Sequence, residues 1–87
     1  MAAEYRLLID YDALTFIEQL PRREAIAIRN RLVEISENPT YFSDCQEKDC
    51  TGRPLDIHIL GRFAIRYWHD FNDKHVKILE VGYADRA

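Results

Sequence analysis

The sequence predicts a small α+β domain of order β-α-α-β-β-β, an antiparallel sheet with a two-helix hairpin packed on one face. Three observations predict it. Apolar residues recur at helical spacing between about residues 12 and 38, and with a period of two from Leu55 onward. Prolines at 21 and 39 punctuate the helical part, and Asn72-Asp73-Lys74 separates the last two alternating runs as a hairpin turn. Helices segregated in sequence from a run of strands cover one face of the sheet those strands form.

Each element follows in order. Tyr5-Arg6-Leu7-Leu8-Ile9 is a short apolar run, predicting a strand over about 4–10. Asp10 and Asp12 suit a turn or helix N-cap, and the first helix starts at Asp12 with Ala13, Phe16, Ile17 and Leu20 on one face. Pro21 breaks it and suits the first turn of the next helix. That helix carries Ala25, Ile28, Leu32 and Ile35 as its apolar stripe and ends at Asn38-Pro39. Its Arg22, Arg23, Arg29 and Arg31 alternate with acids such as Glu24 and Glu34, the pattern of a solvated helix face. Residues 40–53 are polar and irregular. Leu55, Ile57 and Ile59 then alternate with Asp56 and His58, Gly61-Arg62 is a turn, and Phe63, Ile65 and Tyr67 alternate with Ala64, Arg66 and Trp68. The last strand runs from Val76 to Tyr83.

At 87 residues the chain is one domain, 1–87. Hydrophobic residues make up 47% and charged residues 31%, a globular balance far from disorder. No run of about 18 apolar residues spans a membrane, and MAAEYRLLID lacks the basic-then-apolar order of a secretion signal. The formal net charge is -3, which argues weakly against a nucleic-acid protein. The charge is uneven. Residues 1–49 hold six basic and ten acidic residues; residues 50–87 hold six and five, together with all three histidines, so an anionic partner should meet the C-terminal part. Cys45 and Cys50 are spaced C-x4-C with no second pair, which reads as two unpaired loop thiols rather than a zinc site.

The alternation assigns Leu55, Ile57, Ile59, Phe63, Ile65 and Tyr67 to the helix-covered face. It leaves Asp56, His58, Ala64, Arg66 and Trp68 on the open face. In the last strand either Lys77, Leu79, Val81 and Tyr83 or Val76, Ile78 and Glu80 face the helices, and period alone does not choose; Ile78 and Glu80 are expected on the open side. A sheet face carrying His, Arg, Trp, Asp and Glu reads as a binding surface.

The element order resembles the RelE/ParE superfamily of bacterial toxins, and so do several segments. These are S-E-N-P (Ser36 to Pro39), G-R-P-L (Gly52 to Leu55), G-R-F-A-I-R-Y-W (Gly61 to Trp68), N-D-K-H-V-K-I-L (Asn72 to Leu79) and V-G-Y-A-D-R (Val81 to Arg86). The resemblance covers nearly the whole chain and implies a cytoplasmic toxin of a type II toxin–antitoxin system. Its partner would be a cognate antitoxin encoded nearby; no cofactor, metal or membrane is implied. RelE-like members cut mRNA in the ribosomal A site by metal-free attack of a 2′-hydroxyl on the adjacent phosphate. ParE-like members act on DNA gyrase. The cleavage needs a base, an acid and cations. Where the RelE pattern has two lysines, this chain has Asp56 and His58. Where it has arginines, this chain has Ala64, with Arg62 and Arg66 two residues either side, and Ala84, with Arg86 two residues further on. The family's C-terminal tyrosine has no counterpart.

The resemblance thus implies His58, Arg66 and Arg86 as catalytic residues and Arg62, Arg66 and Tyr83 as RNA- or phosphate-binding, and the mixed open face adds Trp68, Ile78 and Glu80 as partner-binding. His58 is either a rim histidine or a general acid–base, for which its ordinary pKa is suited. Arg66 is either a cross-strand partner of Glu80 or Asp56, or a phosphate clamp. Arg62 is solvated in a turn or contacts a phosphate. Trp68 is a packed aromatic or a partner hot spot. His69-Asp70 only superficially resembles a metal pair. Three functions follow: a ribosome-dependent mRNA endonuclease, a gyrase-binding toxin, or a toxin-fold protein that only binds its antitoxin.

Overall fold

The computed structural model describes residues 5–85. Its elements are β1 (Arg6–Ile9), α1 (Tyr11–Glu18), α2 (Arg22–Glu37), β2 (Cys45–Lys48), β3 (Pro54–Leu60), β4 (Phe63–Asp70) and β5 (His75–Tyr83). The five strands form one sheet in the order β1-β5-β4-β3-β2. β1 lies parallel to β5 and the other pairings are antiparallel, so the expected antiparallel sheet is mixed. β2 is an addition to the predicted order. It pairs with β3, but its four side chains, Cys-Gln-Glu-Lys, are all exposed on a sheet edge, so no apolar alternation announces it. Both cysteines are free and exposed.

The helix stripes behave as their periodicity requires. Ala13 and Ile17 of α1 and Ile28, Leu32 and Ile35 of α2 are buried against Phe63, Ile65, Tyr67, Val76, Ile78 and Val81. α1 and α2 touch β5, and α2 touches β1. The turn between β3 and β4 uses Gly61 at φ +60, a conformation that suits a tight hairpin and that side chains disfavour.

Two expectations about faces are corrected. On β3, Asp56 (3% exposed) and His58 (6%) are buried, whereas Ile59 is 43% exposed. The register pairs Asp56 with Tyr67 and His58 with Ile65, which places the polar pair on the helix side and Leu55, Ile57 and Ile59 on the open side. The reason is reach. The helices lie over β1, β5 and β4, and the helix side of β3 is covered instead by the connection from Pro39 to Asp44, whose polar groups call for polar partners. The second correction is Ile78, which is fully buried rather than open. Between Arg66↔Glu80 and Tyr67↔Ile78 the register shifts by one residue on β5. This bulge at Leu79 lets Val76 and Ile78 before it, and Val81 after it, all face the helices. Both candidate phases of the last strand are therefore used, one on each side of the bulge.

Tyr67 fixes the centre of the sheet. It is fully buried, and its hydroxyl donates to the Pro39 carbonyl just beyond α2. Burial pushes its phenol well above the ordinary value, and the nearby Asp56 and Asp44 carboxylates push the same way. A raised phenol pKa means stability is intact below the unfolded value, about pH 10, and falls as pH rises beyond it. Near-UV absorbance titration should show one tyrosine that ionises only as the protein unfolds. Tyr67→Phe should remove that delayed step and, by leaving the Pro39 carbonyl unpaired, cost about 1–3 kcal/mol in urea unfolding.

Candidate functional site

A cleft of about 360 Å³ opens at the end of β5 that runs past its pairing with β1: Ala64, Arg66, Glu80 and Gly82 line it from the open sheet face, and Phe16 of α1, Val81 and Tyr83 from the helix side. Its origin is local. Ala64 and Gly82 lie directly opposite each other on β4 and β5, and neither has a side chain large enough to fill the space between Arg66 and Tyr83. A Cβ added at Gly82 meets nothing within 4 Å, so the glycine keeps space open rather than relieving a clash.

Arg66 is the cation of this cleft. The bulge leaves it opposite Glu80, and its guanidinium donates to Glu80 Oε1 at 2.8 Å and to Glu47 Oε2 at 3.3 Å. Burial works against its charge, but the hydrogen bonds to Glu80 and Glu47 outweigh burial and raise its pKa. Further along the same face, the Arg53 guanidinium lies 4.6 Å from the Trp68 ring centroid, and the His75 ring is 5.1 Å from Trp68 on an edge-on approach. Tyr83 stands at the cleft's end, its ring 5.3 Å from Phe16 and 5.5 Å from Phe63. Arg62 approaches that ring at 5.3 Å but is held by Glu24 through two hydrogen bonds of 3.0 and 2.8 Å. The Glu24 hydrogen bond, then its charge, raises the Arg62 pKa.

His58 is not part of this cleft. Arg31 Nη1 lies 2.6 Å from its Nε2, and because a guanidinium only donates, Nε2 must accept. The ring proton therefore sits on Nδ1, which points to the Phe42 carbonyl at 2.9 Å and Asp44 Oδ2 at 3.0 Å. Both nitrogens are engaged inside the protein, on the opposite face from Arg66. Arg31 pairs with Glu34 at 2.7 Å as the helix-face pattern predicts, and it also stacks on Phe42 at 5.0 Å and reaches His58. Asp56 is equally committed: Ser43 and Gln46 donate to its Oδ1 at 2.7 and 2.8 Å, and His69 Nδ1 lies 2.9 Å from its Oδ2.

Of the expected site residues, the structure brings together Arg66, Glu80 and Tyr83, with Arg62 at the margin and Trp68 on the same face. It separates His58 and Ile78 from them. Arg86 lies outside the described residues. Glu47 is the residue the sequence does not reveal, because it stands on the edge strand that carries no periodic signal.

No protein-family model and no curated protein sequence matches the chain. Solved structures do. RelE in the archaeal RelE–RelB complex from Pyrococcus horikoshii OT3 superposes with a TM-score of 0.79 at 21% identity, over 95% of this chain and 98% of that one. The chain has the RelE toxin fold. The toxin–antitoxin complex RelBE2 from Mycobacterium tuberculosis gives 0.78 at 19% identity, over 91% and 96% of the two chains. The intact E. coli RelBE complex gives 0.71 at 22%, over 94% and 99%. The RelE-like architecture thus spans nearly all of this chain and nearly all of each neighbour, while the side chains on it are mostly different.

Both His58 ring nitrogens are held within the fold, by Arg31 on one side and by Phe42 and Asp44 on the other. His58→Ala should leave the Phe42 carbonyl unpaired, with Arg31 keeping its Glu34 partner, and lower stability by about 1–3 kcal/mol in urea unfolding. Arg66→Ala, whose side chain is 38% exposed, should change stability by at most about 1 kcal/mol.

Proposed function

We propose that this chain is the toxin of a type II toxin–antitoxin pair and that it cuts mRNA on the ribosome through the open-face cleft. The observation that carries the reading is the Arg66–Glu80 pair in a cleft kept open by Ala64 and Gly82, on a RelE-like fold. A planar guanidinium matches the oxygens of a phosphodiester, and a half-exposed Arg66 is free to exchange a carboxylate for a phosphate.

The chemistry divides as follows. Arg66 neutralises the phosphate and the charge that develops on it. With His58 buried, Glu80 is the carboxylate in the cleft that takes the 2′-hydroxyl proton. The 2′-oxygen bonds to phosphorus, the bond to the 5′-oxygen breaks, and that oxygen takes a proton from water, leaving a 2′,3′-cyclic phosphate and a 5′-hydroxyl. The antitoxin is the partner that keeps the activity silent, and the chain acts in the cytoplasm, where translating ribosomes are found.

One observation favours a second reading, a toxin-fold protein that only binds its partner. The two described arginines at the cleft are already held by carboxylates, Arg66 by Glu47 and Glu80 and Arg62 by Glu24.

Mapping mRNA 5′ ends after a short pulse of expression without antitoxin separates these readings. New ends inside translated codons are expected from the natural chain. Arg66→Ala should reduce them about 10²–10³-fold, and Glu80→Gln about 10²–10⁴-fold. Gly82→Val, which fills the cleft, should do the same while the purified protein stays folded. Growth arrest without such ends points to gyrase or another target. Absence of both, from folded protein, points to the binding-only reading.

A further inference from the structure

We propose that β1 is the two-fold interface of a homodimer, in which two copies pair antiparallel about Leu8 and join their sheets into one. This inference does not rest on the toxin reading. β1 is a terminal strand of the sheet, and among the described residues nothing pairs with its outer side. Its inner side is defined by two hydrogen bonds: Arg6 N–H donates to the Lys74 carbonyl at 2.7 Å, and Asp10 N–H to the Ile78 carbonyl at 2.9 Å. Backbone direction alternates along a strand, so Arg6, Leu8 and Asp10 face β5 with their main chain, and Leu7 and Ile9 turn theirs outward.

That phase decides which partner fits. In an antiparallel pair, residues with outward main-chain groups must face each other. A two-fold axis at Leu8 does this without adjustment. Leu7 of one copy then faces Ile9 of the other in a hydrogen-bonded pair, on both sides of the axis. Leu8 meets Leu8, and Arg6 meets Asp10, in the closer non-hydrogen-bonded pairs. The sequence Arg-Leu-Leu-Ile-Asp is thus complementary to itself when reversed: a cation at one end, an anion at the other and apolar residues between.

The side chains agree on both faces. On the open face Leu8 is 38% exposed, and Asp10 already lies 3.7 Å from Lys77, so Arg6 of the second copy completes a cation–carboxylate–cation row. On the helix face, a groove of about 210 Å³ between β1 and α2 is lined by Leu7, Ile9, Leu14, Leu32, Val33 and Arg29. Ile26 and Val33, two turns apart on α2, are 44% and 49% exposed. An apolar edge strand with apolar side chains open on both faces is the feature that edges ordinarily avoid. A second copy covers strand edge and groove together, and an isologous contact closes on itself rather than propagating.

The test is sedimentation of the full-length chain without other proteins, from low to high micromolar concentration, with circular dichroism as the control for folding. A concentration-dependent dimer is expected. Leu8→Lys, which places like charges on the axis, should weaken it at least tenfold. Arg6→Asp alone and Asp10→Arg alone should each be monomeric over the same range, and an equimolar mixture of the two should recover the dimer as a mixed pair. A chain that is monomeric throughout overturns the proposal, as does a dimer indifferent to these substitutions. So does a monomeric chain whose Leu7 and Ile9 amides become protected from exchange only when a partner protein is bound, which would give the edge to that partner's strand.

Discussion

Covering a five-stranded sheet with two helices, one of them only eight residues long, leaves part of one face without a helical roof, and most of this structure can be traced to how that part is closed. β1, β5 and β4 receive the apolar stripes of α1 and α2. β3 receives the chain from Pro39 to Asp44. That connection has no periodic hydrogen bonds of its own, so the sheet supplies them residue by residue. Tyr67 takes the Pro39 carbonyl and His58 the Phe42 carbonyl, while Asp56 accepts from the Ser43 hydroxyl. Asp44 bonds to the main chain of Ile57 and Ile59. Buried polar side chains cost stability unless paired, and here no buried side-chain nitrogen or oxygen among the described residues lacks a partner. The polar residues of β3 are therefore its packing.

The same constraint explains what could be read from the sequence. Helix positions and the strands after Pro54 were legible because Ile28, Leu32 and Ile35, or Phe63, Ile65 and Tyr67, repeat with the period of their element. The face of β3 was not. Leu55, Ile57 and Ile59 alternate as cleanly as the core residues of β4, and only knowledge of what lies above them reverses the assignment. β5 failed differently: one extra residue at Leu79 changes the phase in mid-strand, and no local signal marks it. The parallel pairing of β1 is a long-range choice that a four-residue apolar run cannot express. Of the cleft, Arg66 was visible as a cross-strand partner of either Glu80 or Asp56, and the bulge decides for Glu80, whereas Glu47 depended on an edge strand with no apolar residue.

The cleft's electrostatics are those of a guarded cation. Arg66 carries two carboxylates at rest, which fits a chain of net charge -3 and disfavours indiscriminate attraction to polyanions. On the proposed reading, a phosphodiester entering the cleft displaces at least one of them. If that one is Glu80, the displaced carboxylate is released beside the phosphate it has yielded to, where a proton acceptor is required. The resting ion pair and the reactive arrangement then use the same two side chains, separated by one exchange of partners. The bulge at Leu79 is what makes this possible, since it puts Glu80 opposite Arg66 while Ile78 and Val81 stay in the core.

An edge-paired dimer bears on that cleft through geometry alone. A two-fold axis that continues a sheet across antiparallel edge strands runs perpendicular to the sheet, so both open faces point the same way and both helical layers lie together on the other side. The cleft is built on β4 and the Glu80–Tyr83 end of β5, beyond the stretch of β5 that pairs with β1, and α1 contributes Phe16 to it. The proposed pairing through β1 uses none of the residues that line the cleft, and it removes from water Leu8, an apolar side chain that a domain of this size buries poorly by itself. Apolar surface left over by a small core lies along the β1 edge, and the cleft draws on other residues, so the proposed association and the proposed chemistry occupy separate parts of the fold.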